Sequence, residues 1–469
     1  MPIRIVETVT AATMAELRRG RALAESRADV VELRIDGVAD LDLAAVLADR
    51  TAPVIVTCRP GWEGGRYDGA EPDRLRLLRR ARALGAEFID VEVRADWRSV
   101  AAFDRGGFVL SFHDFTGVPT DLEGIADGMA RSGADVAKIA VSVNRLDECR
   151  RLAAIGRAHQ NVVVVGMGAA GAVTRVAPHA FGSQWTYAGP LAELGQFSVR
   201  DLRDVFGVGR VSERAPLYGV VGRPVMHSKS PALHNAAFRA AGIDAVYAPF
   251  EAADFGDFLA FAEALGVRGA SVTAPFKADA LAASSTASDV ANATGAVNTL
   301  VRTGDGWTGG NTDVAGFLET LPPEGVAGMR AAVIGRGGAS RAVQEALRIA
   351  GAETTVIGRD DLDRASEPWD LLINATPVGT APDVSASVME GRPIRARRVF
   401  DLVYNPRETR LMADAARAGA QVTGGLPMLV AQAVQQFELW FDRPAPRDAY
   451  TQAAAEVMTY ETDDVRRIR

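Results

Sequence analysis

Eight short apolar segments recur through the first ~210 residues, each followed by an Ala/Leu/Arg-rich stretch, so that one unit takes about 25 residues. The strand candidates are RIVETV from Arg4, DVVELRID from Asp29, PVIVTCR from Pro53 and FIDVEV from Phe88, then FVLSFHDF from Phe108, DVAKIAVSV from Asp135, NVVVVGMG from Asn161 and QWTYAG from Gln184. Most are β-branched without strict alternation, as in strands covered on both faces. Segments such as AELRRGRALAESR and DRLRLLRRARALG read as the intervening helices. Eight such units predict a closed (β/α)8 TIM-type barrel, with an open doubly wound sheet as the competing architecture. Barrel chemistry gathers at the C-terminal ends of strands, so polar residues inside these apolar runs stand out. They are Glu32, Arg34, Arg59 with Glu63 beyond it, Asp90, Glu92, His113, Asp114 and Lys138, with Arg175 and Gln196 in later loops.

A break near Val211–Pro216 ends this pattern. The predicted divisions are 1–212, the barrel; 216–322, another α/β piece; 323–423, a Rossmann-type nucleotide-binding pattern set off by Pro322–Gly325; and a tail, 424–469, that contains a helical stretch. The segment from Arg447 reads as helical, polar and peripheral. Net charge is −7, from 52 Lys+Arg and 59 Asp+Glu, with no basic block, which argues against nucleic acid as a partner. Cys58 and Cys149 are the only cysteines, which excludes a disulfide scaffold or a Cys-rich zinc site and fits a reducing cytoplasm; no metal site is read. No signal-peptide core and no membrane span are read, because the longest apolar stretch is about a dozen residues against the ~20 a membrane helix needs.

Lys138 lies within an apolar strand. A dry site disfavours the ammonium, and a neutral amine can attack a ketone to form a Schiff base that acidifies the neighbouring C–H. The alternative is a lysine that ends a strand and reaches solvent along its stem. His113 suits proton shuttling beside such an amine, and its alternative is a core histidine. Asp90 or Glu92, one strand earlier, would orient the ring. Arg34, Arg59 and Arg175 can grip an anionic substrate by bidentate forks.

ELRID, TCRPGWEGG, SFHDF, DVAKIAV and MGAAGAVTR together resemble type I 3-dehydroquinate dehydratase, the Schiff-base class. The resemblance implies an imine between Lys138 and 3-dehydroquinate, His113 as general base and acid, and Glu63 assisting proton transfer. It also implies Glu32, Arg34, Arg59, Arg175 and Gln196 as substrate-positioning residues. The family's Ser-Ala-Pro-Gly-Gln loop reads Ala192-Glu193-Leu194-Gly195-Gln196 here, keeping the Gln and losing the Ser hydroxyl.

In the second half a short strand, Ala331–Ile334, runs into Gly335-Arg336-Gly337-Gly338-Ala339-Ser340 and a helix. Glycines there allow close backbone approach, and a helix N-terminus attracts phosphate. The next strand, TTVIGRD, ends in Arg359, which suits the 2′-phosphate of NADP, and Asp360, which suits the ribose hydroxyl of NAD. Ser228 and Ser230, two residues apart, can bind a carboxylate, or Ser230 can simply cap a helix. Lys277 after VTAPF and Asp313 after a Gly turn can together donate and recover a proton at a carbonyl receiving hydride.

SKSPALHNAAF, VTAPFK, GAVNTL, GGNTD, GRGGASRA, NATPVG, DLVYNP and GLPMLVAQA, in this order, resemble shikimate dehydrogenase. The resemblance implies Lys277 and Asp313 as the catalytic pair, and substrate contacts from Ser228, Ser230, Thr273, Asn298, Tyr404 and Gln432. It implies cofactor contacts from Gly335, Gly337, Gly338, Ala339, Arg359, Asp360 and Thr376. Two departures stand out: the family's Asn before Val-Thr is Ser271, and its Asn-Arg-Thr/Ser phosphate clamp reads Gly358-Arg359-Asp360.

Joined, the halves imply dehydration of 3-dehydroquinate to 3-dehydroshikimate, then reduction to shikimate with NADPH, in aromatic amino-acid precursor synthesis. Two alternatives stay open: a quinate/shikimate dehydrogenase using NAD in catabolism, and a catalytically silent metabolite-sensing regulator. Retention of Lys138, His113, Lys277 and Asp313 argues against the regulator.

Overall fold

A computed structural model describes residues 2–101, 106–190, 195–304 and 306–456. By packing, the chain divides into two units: Met1–Gly219 with Pro224–Met226 and Asp244–Val267, and Val220–Arg223 with His227–Ile243 and Arg268–Arg469.

The first unit carries β1 (Arg4–Thr10), β2 (Val30–Arg34), β3 (Val54–Thr57), β4 (Phe88–Glu92), β5 (Phe108–Asp114), β6 (Val136–Ser142), β7 (Val162–Met167) and β8 (Trp185–Ala188). All eight predicted strands are present, in the sheet order β7-β6-β5-β4-β3-β2-β1-β8. Every ladder from β8 through β1 to β7 is parallel. Beside the remaining edge Val164 N–H donates to Ser183 Oγ at 3.0 Å, giving a near-closed barrel rather than an open doubly wound sheet. The predicted helices form at Met14–Glu25 and Glu71–Ala83. The first opens on a capping box, in which Thr13 accepts from Glu16 N–H and the Glu16 carboxylate accepts from Thr13 N–H.

Side chains alternate along a strand, so the parity of each strand decides what the barrel encloses. One set of inward positions, Val6, Val30, Ile55, Phe88, Val109, Val136, Val163 and Trp185, packs as a single apolar layer. Two residues further on, the same faces present Thr8, Glu32, Thr57, Asp90, Ser111, Lys138, Val165 and Tyr187. The next step brings Arg34, Arg59, Glu92 and His113. The interior is therefore dry at one end and polar toward the strands' C-terminal ends.

Also in this unit, Asp257 on the helix Phe255–Leu265 reaches the loop after β6. Its Oδ2 accepts from Leu146 N–H at 3.0 Å and Ala253 N–H at 2.8 Å, and its Oδ1 accepts from Asp147 N–H at 2.7 Å.

β9 (Leu217–Gly222) leads on along the chain, and β10 (Val246–Glu251) lies in the first unit. The second unit holds β11 (Gly269–Val272), β12 (Thr286–Ala287), β13 (Thr299–Thr303) and β14 (Gly306–Gly310). Here β13 runs antiparallel to both β11 and β14, and β12 runs parallel to β14. Next come β15 (Arg330–Ile334), β16 (Glu353–Ile357), β17 (Leu371–Asn374), β18 (Arg398–Asp401) and β19 (Gln421–Thr423), a parallel sheet in the order β16-β15-β17-β18-β19. The chain reverses direction across this sheet between β15 and β17, the switch point where open α/β sheets leave a crevice for ligands.

Residues 447–456 are helical, as expected, but not peripheral: Tyr450 is fully buried and Ala454 nearly so. The apolar ring of Tyr450 outweighs the polar residues around it. Among the described residues no helix is long and apolar enough to cross a membrane.

Candidate active sites

Lys138 sits in mid-β6 and is 7% exposed. Its register partner on β5 is Ser111, and His113 is the next residue on that face. Its Nζ stands 4.1 Å from the centroid of the Tyr187 ring and 3.7 Å from Glu32 Oε1. The Glu32 oxygens accept from Thr8 Oγ1 at 2.6 Å and Thr57 Oγ1 at 2.9 Å. Burial pushes the Glu32 carboxyl up, but Lys138, Arg34 and the Thr8 hydroxyl outweigh it and bring it down to about 2. Burial lowers Lys138 below the ordinary lysine value, and Arg59 and Arg34 work the same way against the pull of Glu32 and Asp90. Lys138 thus occupies the dry interior and does not snorkel to solvent.

His113 projects from β5 onto Glu63, which the 3-10 turn Gly61–Glu63 presents. Nδ1 lies 3.0 Å from Glu63 Oε1, and the same oxygen accepts from His113 N–H at 3.1 Å. Burial first, then Arg59, Lys138 and Arg34, hold the imidazole well below its ordinary range. A neutral ring that donates Nδ1–H to Glu63 leaves Nε2 with a free lone pair. Burial raises the Glu63 carboxyl to about 7, against the pull of Arg59, and its Oε2 is buried without a partner.

Asp90 and Glu92, expected to orient the ring, do not reach it. Arg59 claims both, through Nη2–Asp90 Oδ1 at 2.9 Å and Nη1–Glu92 Oε1 at 2.7 Å. Arg74 takes the other Glu92 oxygen at 2.7 Å, and Ser111 Oγ donates to Asp90 Oδ1 at 2.6 Å. A guanidinium fork with two carboxylates in reach outcompetes an imidazole for them. The three candidate arginines therefore differ. Arg34 is bidentate to Asp36 at 2.8 and 2.9 Å, and Arg59 Nη1 also donates to Ser111 Oγ at 2.7 Å. Arg175 is buried with no carboxylate partner among the described residues: one Nη1 bond reaches Tyr187 O at 3.2 Å, its Nε is unpaired, and burial lowers it to about 10. The Gln196 carboxamide packs on Gly189, where a Cβ would stand 2.1 Å from Oε1. Ala192, Glu193 and Leu194 of the altered loop lie outside the described residues.

In the second unit Lys277 opens the helix Lys277–Ala283, and its Nζ donates to Asp313 Oδ2 at 2.5 Å. Asn311 caps the helix Thr312–Leu318 by accepting from Asp313 N–H at 3.1 Å. Asn298 Nδ2 donates to Asp313 Oδ1 at 2.8 Å, fixing the second carboxylate oxygen. Behind Asn298 runs a buried chain of donors. Tyr450 O–H reaches His234 Nδ1 at 2.8 Å, and His234 Nε2 reaches Gln436 Oε1 at 3.2 Å. Gln436 Nε2 donates to Thr299 Oγ1 at 3.1 Å, and Thr299 Oγ1 donates to Asn298 Oδ1 at 2.8 Å. Burial presses His234 to about 3, so the ring is neutral and can donate at one nitrogen while accepting at the other. Ser271, where the resembling family has Asn, donates to Gln436 Oε1 at 2.8 Å and joins this chain.

Ser230 is the first residue of the helix Ser230–Ala240 and not its cap; its N–H donates to Ser228 Oγ at 3.3 Å. Thr273 and Tyr404 are half-buried, and Gln432 is buried with its amide donating to Leu429 O at 2.9 Å.

The glycine-rich turn follows β15. Gly335 has φ 117°, and a Cβ there would meet Ala375 O at 2.9 Å and Thr376 Cγ2 at 3.1 Å, so Thr376 shares the switch-point crevice. Gly337 caps the helix Gly338–Ile349 with no side-chain bond and opens onto free space. A cradle of unclaimed N–H groups with no Cβ in the way suits a dinucleotide's pyrophosphate. A Cβ on Gly338 would stand 3.1 Å from Lys277 Cδ, so the cradle abuts the Lys277–Asp313 pair. Arg359 and Asp360 are both exposed just past β16.

Thr8, Thr57, Tyr187 and Arg74 were missed from sequence; Thr57 stands two residues before Arg59 and is within reach of period-two counting, whereas Thr8 and Tyr187 lie on strands that carry no other candidate. The His234–Gln436–Tyr450 chain carries no local signal, because its members are 202 and 216 residues apart.

Residues 5–212 match the type I 3-dehydroquinase family, residues 220–300 the shikimate dehydrogenase substrate binding domain, and residues 425–454 the shikimate 5′-dehydrogenase C-terminal domain. The bifunctional 3-dehydroquinate dehydratase/shikimate dehydrogenase, chloroplastic, of Arabidopsis thaliana is 32% identical over 91% of this chain and 80% of its own length. A shikimate dehydrogenase (NADP(+)) of Symbiobacterium thermophilum is 38% identical over 52% of this chain and 96% of its own. A crystal structure of a shikimate dehydrogenase in complex with NADP+ aligns with TM-score 0.50 at 27% identity, over 53% of this chain and 97% of that one.

Proposed function

The chain belongs to the bifunctional 3-dehydroquinate dehydratase/shikimate dehydrogenase family, and from that premise we propose that its barrel dehydrates 3-dehydroquinate to 3-dehydroshikimate and its second half reduces that ketone to shikimate with NADPH. The observation that carries the first step is Lys138, an amine buried in the barrel with the His113–Glu63 pair on the adjoining strand and turn. Neutral Lys138 adds to the substrate ketone, water leaves, and an iminium forms beside the Glu32 carboxylate. The iminium acidifies the adjacent C–H, and His113 Nε2 takes that proton while Glu63 holds Nδ1–H. The electron pair returns to expel the hydroxyl β to the imine, which leaves as water with the proton from His113. A second water hydrolyses the product iminium and frees Lys138, so the net change is loss of one water. Arg175 receives the substrate carboxylate, because it is the buried guanidinium that no described carboxylate claims. Glu32, Arg34, Arg59 and Gln196 position the remaining oxygens.

NADPH, when bound, supplies the hydride. Lys277 donates the proton to the reduced carbonyl oxygen, and Asp313, held by Asn298, orients the ammonium and returns its proton. Ser228, Ser230, Thr273, Asn298, Tyr404 and Gln432 contact the substrate. Gly335, Gly337, Gly338, Ala339 and Thr376 line the dinucleotide, with Arg359 toward the 2′-phosphate. The working domains are 1–212, 216–322 with 424–469, and 323–423. Both cysteines are free and buried, which supports a cytoplasmic setting.

Borohydride with 3-dehydroshikimate tests the first step: a reduced adduct on Lys138 is expected by peptide mass spectrometry, and an equal adduct in Lys138→Ala removes the imine mechanism. Asp360 favours an NAD-linked, quinate-accepting second half, so steady-state rates with shikimate and quinate, each with NADP and NAD, decide between the two.

A further inference from the structure

Arg336 occupies the middle of the glycine-rich turn and is exposed. Its guanidinium lies over the backbone of Gly358: a Cβ built on Gly358 would stand 2.8 Å from Nη2, 2.9 Å from Cζ and 3.1 Å from Nε. β15 and β16 pair in parallel up to Ile334 and Ile357, so the turns bearing Arg336 and Gly358 leave neighbouring strand ends side by side. Gly358 has φ −87°, which any residue adopts, so its backbone does not call for glycine. A Cβ there would meet only the guanidinium end of Arg336, so a larger residue would move that side chain rather than the backbone. Arg359 follows directly and is also exposed. Neither arginine makes a hydrogen bond or ion pair with a described residue.

The end of the second strand of such a sheet is where the adenosine ribose lies. A 2′-phosphate brings about −1.5 to −2 charge and three acceptor oxygens. Arg359 alone is poorly equipped for it, because the exposed Asp360 and Asp361 come next and leave that short run net negative. A second guanidinium from the turn cancels the deficit and offers a second fork to the same phosphate. We propose that Arg336 and Arg359 jointly receive the 2′-phosphate of NADP(H), and that Gly358 is small so that Arg336 can lie there. This inference rests on the NADP-linked reading of the second half.

Calorimetric titration of the full chain with adenosine 2′,5′-bisphosphate and with 5′-AMP isolates the 2′-phosphate, since the ligands differ only there. The wild-type chain is expected to prefer the bisphosphate. Arg336→Gln is expected to shrink that preference by roughly 10- to 100-fold, the range for losing charge-assisted hydrogen bonds, with the 5′-AMP affinity as internal reference. Arg336→Lys is expected to recover part of it. Gly358→Ala, which leaves both arginines in the sequence but crowds Arg336, is expected to reduce it as well, and a wild-type melting midpoint for each variant excludes misfolding. A full preference in Arg336→Gln together with its collapse in Arg359→Gln would overturn the role of Arg336 and leave the NADP reading standing. No preference in the wild-type chain would overturn both.

Discussion

Lys138 and Lys277 each face a carboxylate, but at different range: 3.7 Å to Glu32 in the barrel, 2.5 Å to Asp313 in the second unit. The Glu32 oxygens already accept from two threonine hydroxyls, whereas one oxygen of Asp313 is turned to its lysine and the other to Asn298. Burial differs in the same sense, with the Lys138 side chain 8% exposed and that of Lys277 17%. An amine that bonds to carbon must shed its proton. The Lys138 site fits that proposed role: the counter-charge stands off the nitrogen, and burial and neighbouring guanidinium groups lower its affinity for the proton. An amine that only passes a proton gains from a direct acid partner.

The sharpest test of this contrast is to remove each amine in turn. Lys138→Ala should cost dehydration on the order of 10⁴-fold or more while ketone reduction persists, because the proposed covalent route would be gone. Lys277→Ala should cost reduction about 10²- to 10⁴-fold with dehydration intact. If either single change abolishes both activities, the two amines are not independent and the comparison fails.

The next effect is in pH. In the proposed route Lys138 must lose its proton to attack, and its pKa lies below the ordinary value, so kcat/KM for dehydration should rise on a limb below that of a free lysine. Glu63 ionises near 7, and above that pH its carboxylate accepts from His113 Nδ1–H more strongly, so the rate should also climb through about 7. Glu63→Gln should lose that step and cost less than the ~10²-fold expected for removing the proton-transfer group itself. A pH profile unchanged in Glu63→Gln would detach Glu63 from the imidazole's work.

The smallest effect is at Tyr450. Tyr450→Phe leaves His234 Nδ1 buried without a donor, which should lower stability by about 1–3 kcal/mol in urea unfolding. Reduction should slow by about tenfold at most, equivalent to ~1.4 kcal/mol, and dehydration should not change. Equal losses in both reactions would show that the chain of donors serves folding alone.

The barrel was legible because its cue is local and repeated: each strand announces itself in four to seven residues. Lys138, His113 and Glu63 were legible through their motifs, and the structure adds which groups touch. The partner of His113 was misjudged because Asp90 and Glu92 are near it in strand order. Arg59 and Arg74, arriving from β3's end and a helix, had already claimed those carboxylates. Competition for a charged partner is a three-dimensional quantity that strand adjacency does not reveal. The tail was misjudged for a related reason: Tyr450 in a polar segment carries little pattern, yet its hydroxyl ends a chain of hydrogen bonds by meeting an imidazole 216 residues away.

Asp257 bears on how the two activities can be separated. Its carboxylate covers two backbone N–H groups in the loop that follows the Lys138 strand, and it comes from beyond the first 212 residues. A barrel excised at its sequence boundary would bare both donors and the apolar ground around them. Cutting the gene at that seam therefore yields a lone dehydratase with a wound beside its active strand, and a stable one requires either a graft of residues 244–267 or a new plug for Leu146 and Asp147.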